Sequence, residues 1–311
     1  MASDPSNSAT ATVAAADAYT AIPLNGLVAD APVPFALHLR TAADVWVLYH
    51  PANTALDESH IGRLTAEGIT ELWIHDNDRA AYFERIEGSL DQMLLDRAMP
   101  VTHRATLLHG VASRVASDLL AERPNQPTVQ RAHKLMMATS SLMLREANGF
   151  QAIRRVLSAS DGLAEHSLTV GFLSMGLARN VIGADATTLL MVGLAGLLHD
   201  VGKVGYEGID HDPEHTLRGA AFLANAGMPE IVVQAARSHH ERADGSGFPM
   251  KTSGNMIPEI ARIVGIVDTF DDIYSARKPR VHVFDALRVL AQTYRGCFED
   301  RFAAGLVKLF R

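Results

Sequence analysis

The sequence predicts a mainly α protein, an all-α C-terminal domain behind a small α/β N-terminal one, and three observations carry that reading. From about Phe150 onward nearly every periodic apolar segment repeats at helical spacing. Strand-like runs occur only in the first third of the chain. Glycine and proline punctuate the second half in two clusters, Gly202 to Gly208 and Gly245 to Pro258. With 311 residues, 48% hydrophobic and 20% charged, the chain can bury a sizeable core as one large or two modest domains, which excludes disorder throughout. No internal repeat or low-complexity array interrupts this order.

Residues 1–32, rich in Ala, Ser, Thr, Asp and Pro, read as a disordered tail. Val45 to Tyr49 reads as a strand, Glu58 to Glu67 as a short helix and Glu71 to His75 as a second strand. Together they make a small α/β module over 33–98, expected to serve regulation or interaction. Helical periodicity begins near Arg79, breaks at Met99-Pro100 and runs to Glu122, where Arg123-Pro124-Asn125-Gln126-Pro127 interrupts it. A further helix, Val129 to Ala147, is expected to stop at Asn148-Gly149 and to complete a helical connector over 99–149. The last domain then spans 150–311.

A formal net charge of −7 argues against long nucleic acid as a partner, so any phosphate recognition must come from local basic residues or from metal. The single cysteine, Cys297, rules out an internal disulfide and suits a reducing compartment. Met1 to Phe35 lacks a basic n-region and an apolar h-region, and Leu189 to Leu198 is too short to span a bilayer. The expectation is a cytoplasmic protein with no membrane partner.

The chemistry gathers in a few short motifs. His239-His240-Glu241-Arg242-Ala243-Asp244-Gly245-Ser246-Gly247-Phe248-Pro249 sets adjacent histidines before acids and a Gly-Pro turn. Leu197-Leu198-His199-Asp200-Val201-Gly202-Lys203 places a His-acid doublet at the end of an apolar helix, and Asp268 follows the apolar run Ile263 to Val267. Neighbouring helix residues point about 100° apart, so each doublet is expected to serve two metals rather than converge on one. Asp200, with two carboxylate oxygens, is the natural bridge, and His199 binds one ion from the side. Imidazole and carboxylate without thiolate favour Fe, Mn or Zn in a catalytic role. Glu241 and Asp244 read as acceptors for imidazole N–H groups or as turn caps. His103 and His109 read as surface or inter-domain residues.

These motifs, in this order, resemble the HD-GYP family of metal-dependent phosphodiesterases, over roughly Gln151 to Arg311. The resemblance implies a metal-ligand set of His166, His199, Asp200, His215, His239, His240 and Asp268. His211 competes with His215 for its place, and Gly219, four residues after His215, favours the latter. Two divalent transition-metal ions are implied, with Fe or Mn favoured. Lys203 is implied as an electrostatic helper and phosphate contact beside catalytic Asp200. Arg277 and Arg280 match the family's ligand-holding residues by spacing, with a solvated basic turn as the competing reading. The implied reaction is hydrolysis of cyclic di-GMP to linear pGpG, with or without a second cleavage to GMP. The alternatives are hydrolysis of another cyclic dinucleotide such as cyclic GMP-AMP, and a weakly active or inactive sensor or scaffold. A signalling partner or a homodimer through the N-terminal module is a further expectation. The chain departs from the family pattern in four places. Phe248 replaces the tyrosine of the name, Ala243 replaces a tryptophan, the connection from Asp200 to His215 is short, and Gly162 stands where some members place a glutamate for a third metal. Two metals rather than three are therefore expected.

Overall fold

The computed structural model describes residues 19–24, 27, 32–42, 45–157, 162–206, 212–275 and 282–311. Arg277, Arg280 and His211 lie outside the described residues. The chain divides into two compact units, Met1–Gly88 and Ser89–Arg311.

The first unit is built from β1 (Tyr19–Pro23), β2 (Pro32–Val33), β3 (Leu37–Ala42), β4 (Val45–His50), β5 (Thr54–Ala55), α1 (Glu58–Ala66) and β6 (Glu71–His75), followed by the start of α2 (Arg79–Leu95). A four-stranded sheet has the order β1-β6-β3-β4 with antiparallel pairing, and β2 pairs with β5 separately. Along β6, Leu72 and Ile74 are buried, while Trp73 on the opposite face lies under the Arg40 guanidinium, 5.2 Å from its ring. Asp57 starts α1 by accepting the His60 N–H at 2.9 Å. One expectation needs correction. Residues 19–23 lie inside the stretch that composition marks as a tail, yet they form β1, paired over five residues with β6. Bulk composition averages over the whole segment and so hides a short run whose backbone is satisfied by a neighbouring strand and whose Ile22 is buried.

In the second unit α3 (Val101–Ala121), α4 (Gln126–Arg145), α5 (Gly149–Val156), α6 (Leu163–Ile182) and α7 (Ala186–Leu198) precede α8 (His215–Asn225), α9 (Glu230–Ser238), α10 (Glu259–Ser275), α11 (Val283–Thr293) and α12 (Asp300–Leu309). Helix α7 is central, with Leu189, Val192, Leu194, Ala195, Leu197 and Leu198 buried around its circumference, as a helix enclosed by others requires. Helices α3 and α4, read from sequence as a connector, pack on α6 and α7 and belong to this body. Two boundaries also differ from expectation. Asn125 caps α4 by accepting the Thr128 N–H at 3.0 Å, and Pro127 sits in the first turn, where its missing N–H has no helical partner to lose. Gly149 opens α5 instead of closing α4, which ends at Arg145, and glycine is required there because a Cβ would lie 2.4 Å from the Leu142 carbonyl oxygen.

Close backbone contacts bring the site together. A Cβ on Gly196 would stand 2.6 Å from Gly171 Cα, so α6 and α7 touch where His166 and His199 emerge. A Cβ on Gly202 would lie 2.0 Å from the His215 carbonyl oxygen, so only glycine lets the turn after Asp200 meet the start of α8. Among the described residues, no helix is long and apolar enough to cross a membrane.

Candidate metal centre

The seven residues singled out in sequence converge in the second unit. Their ligand atoms form two clusters, His166, His199, Asp200 and Asp268 in one and Asp200, His215, His239 and His240 in the other, each with all atoms within 4.8 Å of one another. Asp200 is common to both. Its Oδ2 lies 3.3 Å from His199 Nε2 and 3.8 Å from His166 Nε2, while its Oδ1 lies 3.2 Å from His215 Nε2 and 3.6 Å from His239 Nε2. Asp268 Oδ1 faces His166 Nε2 at 3.2 Å and His199 Nε2 at 3.4 Å.

Helix ends aim these groups. His166 lies in the first turn of α6, His199 caps α7, His215 opens α8 and His239 caps α9. Three imidazoles turn Nδ1 to a carbonyl: His199 to Gly196 at 2.7 Å, His215 to Asp212 at 2.5 Å and His239 to Ala236 at 2.9 Å. Each Nδ1–H donates there, which leaves Nε2 with its lone pair facing the centre. His239 and His240 do not diverge to separate clusters as a helical pair would. Helix α9 ends at Ser238, the two residues lie on the following turn, and their ring centroids are 4.1 Å apart.

The donor set fits metal. Nε2 atoms face each other at 3.3 Å in two pairs, His166 with His199 and His215 with His239, and acceptor lone pairs that close need a cation between them. Asp200 Oδ1 and Asp268 Oδ2 are buried with no hydrogen-bond donor among the described residues. Burial works against charge on His199, but Asp200 and Asp268 overcome it and raise this imidazole to about 9, so a metal binding at Nε2 would displace a proton held there. Burial, followed by the neighbouring His239 imidazole, pushes His240 down to about 2 and keeps it a neutral donor. Burial opposes ionisation of Asp200 too, yet His199 holds it well below the usual carboxylate range.

Sequence reasoning missed Asp271. Its Oδ2 accepts from His166 Nδ1 at 2.8 Å, the role that carbonyls play for the other three imidazoles. The available signal was spacing, because Asp268 and Asp271 are three apart on α10 and share a face. Asp271→Ala should leave the fold intact and weaken metal binding about 10–100-fold, read by competition against a chromophoric chelator.

Glu241 is buried and accepts the N–H groups of Met250 at 2.7 Å and Thr252 at 2.9 Å, so it holds the loop after the histidine pair instead of serving an imidazole. Asp244 caps its own turn through Ser246 N–H at 3.0 Å. Arg242 donates to the His239 carbonyl and to Thr269 Oγ1, each at 3.1 Å, and so ties the pair to α10. Lys203 Nζ lies 2.5 Å from Asp200 Oδ2, and although burial opposes its charge, Asp200 raises its pKa. His109, on α3, faces Glu165 at 3.8 Å, while His103 is exposed. Beside the His166 cluster opens a cavity of about 540 Å³, lined in part by His166, Asp200 and Lys203.

The model of the HD domain family matches residues 177–296. A cyclic di-GMP phosphodiesterase of Pseudomonas aeruginosa is 30% identical over 67% of this chain and 54% of its own length. The cyclic di-GMP phosphodiesterase response regulator RpfG of Xanthomonas campestris is 29% identical over 62% of this chain and 57% of its length. The chain thus spans little more than half of these curated relatives. A solved HDG"Y"P protein of Bdellovibrio bacteriovorus shares the fold, with TM-score 0.65 and 17% identity over 94% of this chain and 99% of that one.

The chain belongs to the HD-GYP family. The HD-GYP tyrosine position carries Phe248, whose ring stacks on His240 at 4.5 Å and meets His215 edge-on at 6.5 Å. The aromatic body thus still packs on two of the candidate imidazoles without a hydroxyl. In the short connection after Asp200, Arg218 pairs with Asp212, donates to the Gly202 carbonyl at 3.2 Å and lies 4.0 Å over Tyr206. Gly162 is the N-cap of α6 and offers no carboxylate for a further ligand.

Proposed function

We propose that this protein is a dinuclear-metal phosphodiesterase that hydrolyses cyclic di-GMP to linear pGpG, with or without a second cleavage to GMP. The observation that carries the reading is one carboxylate, Asp200, presenting a different oxygen to each of two His-rich clusters beside a cavity. Fe or Mn suits a set of five imidazoles and two carboxylates with no thiolate. Two bound ions would supply a nucleophile from water at neutral pH and neutralise charge on the phosphate. Asp200 and Asp268 would hold that pair together with the five imidazoles, four of which have their rings fixed in place by outward N–H contacts. Lys203 directs a protonated amine at the phosphate side of Asp200, where negative charge grows as the ester bond breaks. Arg277 and Arg280 are assigned to the ligand by their spacing after Asp268. The single cysteine supports a cytoplasmic location. The first unit is assigned an interaction role, as a homodimer or with a signalling protein. Exposed Val45, Val47 and Leu48 on the edge strand β4 support it.

The test is incubation of anaerobically purified, metal-analysed protein with a panel of cyclic dinucleotides, products being separated by chromatography. Linear dinucleotide formed in proportion to metal content is the expected result. Binding without turnover would make the chain a sensor, and protein that holds no metal when protected from oxygen and chelators would remove the reading.

A further inference from the structure

The cavity wall carries a cation that the metal chemistry does not use. Arg154, on α5, lines the same cavity as His166 and Lys203. Its guanidinium lies 5.4 Å over the ring of Phe310, and its Nε is buried with no hydrogen-bond acceptor among the described residues. The wall around it is aromatic and continuous. Phe310 meets Phe270 at 5.2 Å, and Phe270 stacks on Tyr274 at 5.9 Å with the rings 8° from parallel. Glu165, on α6, lines this cavity too, and its Oε2 lies 3.8 Å from His109 Nε2. Arg154, Glu165 and Phe310 all fall outside the 177–296 stretch matched by the HD domain model.

A planar aromatic wall with a pinned guanidinium suits a nucleobase better than a second phosphate, which would lose its hydration against carbon without a metal to replace it. Guanine is the base whose edges match both side chains. O6 and N7 accept from a guanidinium fork, and the N1–H and N2–H groups donate to a carboxylate. Adenine presents an amino donor where O6 would be and an unprotonated N1, so it conflicts with Arg154 and with Glu165.

We infer that Arg154 and Glu165 form a guanine-reading subsite within this cavity and set base preference. The inference rests on the cyclic-dinucleotide reading above. Arg154 donates to O6 and N7, Glu165 accepts from N1 and N2, and Phe310 keeps the guanidinium in plane.

The experiment compares kcat/KM for cyclic di-GMP, cyclic GMP-AMP and cyclic di-AMP in the metal-loaded full chain and in Arg154→Gln and Glu165→Gln. Wild type should prefer the substrates in that order. Arg154→Gln should cut the preference for cyclic di-GMP over cyclic di-AMP by about tenfold or more, mainly through KM, with metal content and Tm unchanged. Glu165→Gln, which keeps side-chain shape, should shift preference the same way. A common factor of loss on all three substrates would make Arg154 a phosphate clamp and overturn the inference, as would unchanged preference in both variants. Those outcomes leave the phosphodiesterase reading standing. A metal-loaded wild type that cleaves none of the three removes both.

Discussion

Alanine at Asp200 empties both halves of the centre at once. Its two oxygens are divided between the clusters, Oδ2 toward His166 and His199 and Oδ1 toward His215 and His239, and among the described residues it alone belongs to both clusters. Elemental analysis of Asp200→Ala should fall from about two ions per chain to below one, and hydrolysis should drop beneath detection. His240→Ala, which touches one cluster, should lose less metal. Thermal stability is a second readout, because bound ions add a further tie among helices α6 to α10, which already pack on one another. Metal should raise the Tm of wild type and leave that of Asp200→Ala nearly unmoved. Two retained ions in Asp200→Ala would show that the carboxylate is not shared.

The centre was legible to different depths, and the difference is physical. His199-Asp200 and His239-His240 stand out because adjacent polar pairs at the ends of apolar helices have no packing role that competes with ligation. Asp271 did not stand out. Its work is to accept a hydrogen bond from the far side of His166, 105 positions away, and such a contact exists only after α6 and α10 pack. Arg154 is hidden for the same reason, since its neighbours in the cavity come from α6, α10 and the end of α12. The divergence expected of His239 and His240 failed because helical geometry was applied one residue past the end of α9. The strand runs at Val45 and Glu71 were legible from local composition, whereas β1 depends on β6 for its hydrogen bonds and is weak alone. Proline misled at Pro127 because its meaning reverses between a helix interior and a first turn.

Lys203 separates metal retention from turnover. Its ammonium is 2.5 Å from Asp200 Oδ2, but a protonated amine has no lone pair, and the neighbouring carboxylate raises its pKa further from neutrality. The side chain is 42% exposed, so a methionine or alanine can replace it without opening the core. Lys203→Ala should therefore keep about two ions per chain while kcat falls by about 10²–10³-fold, the usual loss when one donor to a developing oxyanion is removed. KM should change far less than kcat, because an interaction realised in the transition state contributes little to ground-state binding. Measuring metal stoichiometry and single-turnover rates on the same preparation decides the matter. If Lys203→Ala loses its metal, the residue works by holding Asp200 in place; if KM rises while kcat holds, it binds substrate without assisting the bond that breaks.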